Sequence, residues 1–200
     1  MGLKKMKRCA VFLDRDGTII EEVGYLKDVS GLRVLPQAAA AIRLLNEKGL
    51  LVILATNQSG IARGYFTEED LEEIHQRLRD ELASEGAFMD AIYYCPHSPE
   101  EKDERHKGVC DCRKPSPRML EQAALDFGLE LQSCYVVGDK LSDIELGAAT
   151  GCKTVLVLTG YGEEIMREMH ESDVRADHIA EDLASAVDWI LSDVPSVGEE

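Results

Sequence analysis

The chain has 200 residues, 44% of them hydrophobic, which fits one globular domain with a core that needs no covalent cross-links. Its 38 acidic residues outnumber 22 basic ones, and the net charge of −16 argues against a broad nucleic-acid surface or an anionic membrane partner. No apolar run has the roughly 20 residues of a membrane span and no signal-peptide pattern follows the basic start, so we expect a cytoplasmic protein. The acidic surface favours a monomer.

Short apolar runs alternate with amphipathic segments along the chain. The runs predicted as strands are residues 9–13, 50–55, 91–94, 134–137 and 154–158. The predicted helices run from Pro36 to Gly49, from a Thr67 cap to about Gly86, over 116–127 and over 143–149. This alternation predicts an α/β fold with a doubly wound, Rossmann-like parallel sheet in one domain, residues 1–193, before an acidic frayed tail, 194–200.

The first predicted strand leads directly into a carboxylate pair, Asp14 and Asp16, with Gly17 allowing a tight turn. Ligands of open α/β sheets bind beyond the carboxyl ends of the strands, so this pair faces a binding site. Asp14 can attack an electrophile and hold a divalent metal, while Asp16 donates and accepts a proton. A lone Asp-x-Asp is more often a solvated turn, so this interpretation depends on the rest of the chain.

Two connections are too long for ordinary turns of an α/β fold. Residues 19–35 predict a small flap over the site, and no insertion is large enough for a cap domain. Residues 95–113 contain Pro96, Pro99 and several charges, with little apolar content. We expect something other than a core to hold this second loop.

Further polar residues follow the other predicted strands. Thr56 comes after the second strand and opens a polar turn, and Lys114 precedes the third helix. After Gly138, the fourth strand is followed by Asp139 and, one helical turn on, by Asp143. These residues predict a single site built at several strand ends.

That set of residues is what phosphoryl transfer requires. An anionic nucleophile approaches a phosphate only where a metal ion and cationic or hydroxyl donors offset the repulsion. Mg²⁺ prefers oxygen ligands, so we expect Asp14, the Asp16 backbone carbonyl and Asp139 to hold it, with Asp143 just behind them. Lys114 and Thr56 would then contact the remaining phosphate oxygens.

Three cysteines and a histidine bracket the long loop in the pairs Cys95-x-His97 and Cys110-x-Cys112. Three thiolates and an imidazole make a closed tetrahedral zinc site, and zinc ligation can supply the folding energy of a loop without a core. His106 is a competing imidazole, although its charged surroundings favour a solvated residue. The predicted zinc is structural, because four protein ligands leave no position for water.

Together these motifs resemble the haloacid-dehalogenase-like phosphatases, with Asp-x-Asp-Gly-Thr, Thr56, Lys114 and Gly-Asp-x-x-x-Asp in the family's order over nearly the whole chain. The resemblance implies that Asp14 becomes an aspartyl-phosphate. It also implies that Asp16 protonates the leaving alkoxide and then activates the hydrolytic water.

A narrower resemblance, carried by residues 57–64 and 110–115 together with the cysteine loop, is to the family's heptose-bisphosphate phosphatases. It implies removal of the 7-phosphate from D-glycero-D-manno-heptose 1,7-bisphosphate, a precursor of cell-surface glycans such as lipopolysaccharide. The substrate contacts that it implies are Arg15, Glu22, Val23, Gly24, Tyr25, Asn57, Gln58, Ser59, Arg63, Arg113 and Lys140. Arg63, Arg113 or Lys140 would bind the second phosphate.

Three alternatives remain open at this point. Histidinol-phosphate phosphatases share the four motifs and a similar zinc loop. A phospho-accepting receiver module also places an acidic pocket, a Thr and a Lys on a doubly wound sheet, but it needs no acid/base residue at Asp16. A non-catalytic, zinc-stabilised binding module fits the cysteine loop and leaves the strand-end motifs without a purpose.

Overall fold

The computed structural model describes residues 8–98, 110–169 and 174–194, and its centre is a parallel six-stranded sheet. The strands are β1 (Ala10–Leu13), β2 (Leu51–Asn57), β3 (Ala91–Cys95), β4 (Tyr135–Gly138), β5 (Lys153–Val157) and β6 (His178–Ala180). Their spatial order is β3-β2-β1-β4-β5-β6, and every neighbouring pair is parallel. The predicted fold class is confirmed.

All five predicted strands are present, with ends that differ by one or two residues. Thr56, expected just after the second strand, is the penultimate residue of β2. The sixth strand was not predicted, because it is only three residues long and Ile179 at its centre is 42% exposed. A short edge strand of this kind gives little periodicity to detect.

Within the described ranges, five α-helices connect successive strands and a sixth follows β6. They are α1 (Ala38–Glu47), α2 (Glu68–Ser84), α3 (Arg118–Phe127), α4 (Leu141–Thr150), α5 (Gly162–Met169) and α6 (Leu183–Asp193). The Thr67 cap of α2 is confirmed, because Thr67 Oγ1 accepts from Asp70 N at 3.1 Å and Asp70 Oδ2 accepts from Thr67 N at 2.8 Å.

The helix predictions were wrong in four respects. Helix α3 begins at Arg118 rather than at 116, because Pro117 is its N-cap residue. Helix α1 begins two residues after Pro36, because Gln37 adopts a left-handed conformation, φ 62°, that interrupts the helix there. Helix α4 begins at Leu141 rather than Asp143, since Asp143 caps the first turn by accepting from Lys140 N at 3.1 Å. Helices α5 and α6 were not predicted, although Asp182 caps α6 and apolar residues recur along it at helical spacing.

The two faces of the sheet bury separate apolar cores. Alternate strand residues such as Leu13 and Val137 pack against α1, α2 and α6. Residues between them, such as Phe12 and Val136, pack against α3 and α4. Covering both faces is what a doubly wound sheet requires, and it leaves the carboxyl ends of β1, β2 and β4 open at one edge.

The predicted flap is tied to the fold at its base. Residues 19–21 and 33–35 pair in antiparallel fashion, with Glu21 N donating to Arg33 O and Leu35 N donating to Ile19 O, each at 2.9 Å. Leu26 and Leu32 belong to the segment that joins these two stretches, and both side chains are buried. The predicted tail lies outside the described residues except for Val194. Across the three described ranges, no helix has the length and apolar character needed to cross a bilayer.

Candidate active site

Asp14 lies at the carboxyl end of β1 and is 5% exposed. Its Oδ1 is 2.9 Å from Lys114 Nζ and its Oδ2 is 3.5 Å from Lys140 Nζ. Burial opposes ionisation, but these two ammonium groups outweigh it and hold the pKa of Asp14 well below its usual range. Asp14 is therefore an ionised carboxylate, as a nucleophile must be.

Lys114 is buried between two carboxylates, with Nζ 2.9 Å from Asp14 Oδ1 and 2.6 Å from Asp143 Oδ1, and it donates to Ala55 O at 2.8 Å. Burial alone would lower its pKa, and Asp14 and Asp143 raise it instead. Asn57 fixes the backbone of Lys114, because its Oδ1 accepts from Lys114 N at 3.0 Å and its Nδ2 donates to Lys114 O at 3.3 Å. The predicted substrate contact Asn57 thus serves to hold Lys114 in place.

Asp139 and Asp143 complete a buried acidic cluster with Asp14, their ligand oxygens all within 4.8 Å of one another. Burial raises the pKa of Asp139 to about 7, with Lys140 opposing the shift and Asp14 adding to it. Burial likewise raises the pKa of Asp143, although Lys114 opposes it. Three carboxylates in so small a volume repel one another, so the cluster favours a cation.

Lys140 Nζ marks where such a cation would sit. It lies 3.5 Å from Asp14 Oδ2, 3.1 Å from Asp16 O and 3.1 Å from Asp139 Oδ1. These are the three oxygens that the sequence predicted as Mg²⁺ ligands, and they converge on one positive charge. Oxygen ligands of this kind match what magnesium prefers.

The turn around Asp139 is built from residues without side chains. A Cβ added to Gly17 would lie 2.1 Å from Asp139 Oδ2, and one added to Gly160 would lie 2.2 Å from the same oxygen. Any larger residue at either position would push Asp139 out of the cluster. The glycines therefore preserve the space in which the carboxylates converge.

The Asp16 side chain lies apart from this cluster. Its carboxylate accepts from Arg15 Nη2 at 2.9 Å and from Gln58 Nε2 at 2.9 Å. Gln58 Nε2 also donates to Thr56 Oγ1 at 2.9 Å, and Thr56 is fully buried. Asp16 and Thr56 are thus connected through one amide, and Arg15, predicted as a substrate contact, is buried against Asp16.

The flap reaches the cluster through Glu22. Its Oε2 is 3.0 Å from Lys140 Nζ, and its Oε1 accepts from Gly24 N at 2.6 Å. Beyond it, Tyr25 contacts Tyr65 edge to face with ring centroids 4.7 Å apart, and both rings are partly exposed. The predicted flap contacts therefore include one residue, Glu22, that meets the charged centre directly, while Val23 is 50% exposed.

The four predicted zinc ligands meet in space. Cys112 Sγ lies 2.9 Å from Cys95 Sγ, 3.0 Å from Cys110 Sγ and 3.2 Å from His97 Nδ1. Burial raises the pKa of Cys95; hydrogen bonds from Cys112 and Cys95 overcome the effect of burial and lower the pKa of Cys110. Three thiols and an imidazole this close together form a donor set suited to zinc. Residues 99–109 of the connecting loop, including His106, lie outside the described residues.

This cluster, Cys95, His97, Cys110 and Cys112, is bonded to the loop after β2. Gln58 N donates to Cys95 O at 2.7 Å, and Arg63 Nη2 donates to Ser98 Oγ at 3.3 Å. Arg113 Nη1 donates to His97 O at 3.3 Å, one residue before Lys114. A change in the cluster would therefore reach both Lys114, which is predicted to bind phosphate, and the two arginines predicted to bind a second phosphate.

Sequence reasoning missed the loop that follows β5. Thr159 Oγ1 donates to Gly17 O at 2.6 Å, Tyr161 N donates to Asp139 Oδ2 at 3.0 Å, and the Tyr161 ring centroid is 5.4 Å from Lys140 Nζ. The signal was present, since Thr-Gly-Tyr-Gly is a polar, glycine-rich turn at a strand's carboxyl end. It is the same signal that identified the other strand ends.

Sequence reasoning also missed His75, a buried residue of α2 whose pKa should make stability depend on pH. Burial, and then the charges of Arg15 and Arg79, lower the pKa of His75 from 6.5 to about 3. In the unfolded chain His75 is therefore protonated below about pH 6.5, whereas in the folded chain it is protonated only below about pH 3. The contribution of His75 to the free energy of unfolding is therefore fully present above pH 6.5. It falls as the pH is lowered, by about 2 kcal/mol at pH 5.

Urea unfolding of the wild type and of His75→Phe at pH 8 and pH 5 checks this expectation. The wild type should lose about 2 kcal/mol more than the variant between the two pH values. Equal losses in the two proteins would mean that His75 is not held neutral.

The comparisons with known proteins agree with this geometry. A family profile described as HAD-hydrolase-like matches residues 111–186. A Thermosynechococcus vestitus protein named D-glycero-D-manno-heptose-1,7-bisphosphate 7-phosphatase is 42% identical over 94% of this chain and 97% of its own length. The Escherichia coli K12 protein named D-glycero-beta-D-manno-heptose-1,7-bisphosphate 7-phosphatase is 38% identical over 92% of this chain and 88% of its own.

Solved structures give the same result. The D,D-heptose 1,7-bisphosphate phosphatase of B. bronchiseptica, complexed with magnesium and phosphate, has a TM-score of 0.83 and 34% identity, covering 93% of this chain and 99% of that one. The corresponding enzyme from Burkholderia thailandensis has a TM-score of 0.69 and 29% identity, covering 93% and 99%. These are proteins that this chain is similar to over nearly its full length.

Proposed function

The chain belongs to the haloacid-dehalogenase-like phosphatases, in the group of D-glycero-D-manno-heptose-1,7-bisphosphate 7-phosphatases, and on that premise we propose that it converts the 1,7-bisphosphate into heptose 1-phosphate. The observation that carries this function is the convergence of Asp14, Asp139 and Asp143 with the ammonium groups of the buried Lys114 and the half-buried Lys140 at the strand ends. The product is a precursor of nucleotide-activated heptose for cell-surface glycans such as lipopolysaccharide.

Each step of the reaction is assigned to a residue of this chain. An Asp14 oxygen attacks the phosphorus of the 7-phosphate, and the bond from phosphorus to the C7 oxygen breaks as Asp16 gives that oxygen a proton. Water then loses a proton to Asp16 and attacks the aspartyl-phosphate, which releases phosphate and restores Asp14. Lys114 and Thr56 offset the charge on the phosphoryl oxygens in both steps.

We propose that magnesium binds Asp14, the Asp16 carbonyl oxygen and Asp139, with Asp143 behind them. The support is the convergence of those three oxygens on Lys140 Nζ and the glycine-lined space around Asp139. The metal supplies positive charge that neutralises a phosphate oxygen next to the nucleophile. For zinc the proposed ligands are Cys95, His97, Cys110 and Cys112, in a structural role.

The side chains proposed to bind the 1-phosphate are Arg113 and Arg63, near the cysteine cluster. Arg113 and Arg63 both bond to residues 97–98, so the loop that carries the cluster sets where their guanidinium groups lie. Guanidinium groups bind phosphate in a bidentate manner, which suits them to the second phosphate better than Lys140, whose contacts are with the acidic cluster. The flap residues Glu22 to Tyr25 form the remaining wall beside the sugar.

A comparison of substrates tests the proposed function. The purified protein, with excess Mg²⁺, is assayed for phosphate release from both anomers of heptose 1,7-bisphosphate, from heptose 1-phosphate and from histidinol phosphate. We expect kcat/KM for one bisphosphate anomer to exceed that for histidinol phosphate by at least about 100-fold. Histidinol phosphate has no second phosphate, so the proposed contacts of that group with Arg63 and Arg113 are lost. A higher value for histidinol phosphate would contradict the assignment.

We further propose that the protein works as a cytoplasmic monomer. The net charge of −16 supports the monomeric state, because molecules that carry it repel one another. Light scattering after gel filtration measures the mass directly.

A further inference from the structure

Arg15 is the residue between the two catalytic aspartates, and it is buried rather than turned into the crevice. Its side chain is 1% exposed, an unusual state for an arginine outside an ion-pair network. Nothing in the reaction assigned above uses this guanidinium. A buried charge is costly unless its hydrogen bonds are made, so its partners indicate what it does.

The first of those partners is Asp16. Arg15 Nη2 donates to Asp16 Oδ1 at 2.9 Å, and Arg15 Nε is 3.2 Å from both oxygens. Gln58 Nε2 donates to Asp16 Oδ2 at 2.9 Å, while Gln58 Oε1 accepts from Arg15 Nη2 at 2.9 Å. Three side chains thus form a closed ring, in which the plane of the carboxylate is fixed from two directions.

The ring leaves Asp16 with capacity for one more partner. A carboxylate has about four lone-pair positions, and three N–H groups from Arg15 and Gln58 occupy most of them. The side chain of Asp16 keeps 14% of its exposure. The remaining position is where a proton can be exchanged with a leaving group or a water.

His75 lies behind the guanidinium. It is 1% exposed on α2, and its Nε2 is 3.5 Å from Arg15 Nη1. Arginine can only donate, so Nε2 is the acceptor and the imidazole is neutral. The lowered pKa of His75 agrees with this assignment. The imidazole ring also contacts Tyr94 edge to face, which limits its movement.

We propose that Arg15, backed by His75 and linked through Gln58 to Thr56, is a positioning residue that orients the Asp16 carboxylate for proton transfer. Arg15 itself does not touch the substrate. This inference rests on the proposed acid/base role of Asp16. It changes the role predicted for Arg15 from substrate binding to control of the acid/base group.

The consequence is confined to steps in which a proton moves. Proton transfer requires the donor and acceptor atoms to meet at hydrogen-bond distance, and a small misplacement costs on the order of 100-fold in rate. The nucleophile and the metal ligands do not depend on the guanidinium, because Asp14 is held by Lys114 and Lys140. Removal of Arg15 should therefore slow reactions that need an acid much more than reactions that do not.

Two substrates with different leaving groups separate these cases. Heptose 1,7-bisphosphate releases an alkoxide that needs a proton, whereas p-nitrophenyl phosphate releases a phenolate that leaves without one. The value of kcat/KM reports the steps through departure of the leaving group. For Arg15→Met we expect it to fall about 100-fold with the sugar phosphate and less than about 5-fold with the aryl phosphate.

Matched variants complete the experiment. Asp16→Asn removes the acid completely and shows how much more kcat/KM then falls for the sugar phosphate than for the aryl phosphate. Arg15→Met should show the same difference between the substrates, but a smaller one. Arg77→Met removes an arginine from the exposed face of α2, where it pairs with Glu81 at 2.7 Å, and should change neither substrate's kcat/KM. His75→Phe should reproduce the Arg15 pattern with a loss of about tenfold.

Several results would contradict the proposal. Equal losses with the two substrates would show a structural role, a change in KM alone would show substrate binding, and unchanged kinetics would show no role. If circular dichroism shows Arg15→Met to be unfolded, Arg15→Lys and His75→Phe replace it under the same criteria. Should the wild type prefer another alkyl phosphate, the proposed substrate fails, and the same ratio measured on that ester still tests Arg15.

Discussion

Asp14→Asn is expected to abolish turnover while leaving the fold intact. An amide oxygen cannot form the aspartyl-phosphate, so kcat should fall by at least about 10⁴-fold. The folded state loses one of three clustered carboxylates, and Lys114 keeps Asp143 at 2.6 Å and Ala55 O at 2.8 Å. The ammonium groups that hold the pKa of Asp14 low show that its charge stabilises the fold, so its loss should lower the free energy of unfolding by about 1 to 3 kcal/mol and leave the variant folded.

Phosphate release and urea unfolding measure these two quantities on one preparation. Asp188→Asn, the same substitution at an exposed position of α6, is the matched control and should retain wild-type activity. The covalent intermediate can be trapped directly, because borohydride reduces an acyl phosphate to an alcohol and would leave homoserine at position 14. Turnover by Asp14→Asn above a thousandth of the wild-type rate, or reduction at another residue, would remove Asp14 from its role.

The strand-end rule explains why so much of this site could be predicted from the sequence. Asp14, Thr56 and Asp139 each lie where an apolar run stops, and parallel strands bring such positions to one edge. The meeting of Cys95, His97, Cys110 and Cys112, the proposed zinc ligands, could be predicted as readily, because cysteine and histidine pairs in a loop without a core have few other uses. The loop at 159–161 obeys the same rule, but it contains no charged residue that would mark it as part of a site.

The role of Arg15 could not be predicted in the same way. A charged residue between two aspartates at a strand end indicates contact with an anionic ligand, and its burial depends on residues far away in the chain. Gln58 is 43 positions and His75 is 60 positions from Arg15, and neither belongs to a recognisable motif with it. Their meeting depends on how α2 packs against the sheet, which periodicity does not specify.

Removal of zinc should lower activity through the fold rather than through the chemistry. The cluster of Cys95, His97, Cys110 and Cys112 bonds to the loop after β2 and is followed in sequence by Arg113 and Lys114. Without metal the three thiols and the imidazole lose the ligation that would hold them together, and free energy on the order of 10 kcal/mol is withdrawn from this region. We expect kcat/KM to fall about 10- to 100-fold as Arg113 and Lys114 lose their fixed positions.

Cys112→Ser and a zinc-selective chelator, each assayed in excess Mg²⁺, make this measurement without removing the catalytic metal. Native mass spectrometry should show one zinc per wild-type chain and none in the variant, and amide exchange should accelerate over residues 95–98 and 110–114. Cys152→Ser, a buried thiol outside the cluster, should keep its zinc and its activity. If exchange is unchanged while zinc is lost, the metal does not support the loop. The positions of Lys114 and Arg113 would then depend on Asn57 and the contacts to residues 97–98 alone.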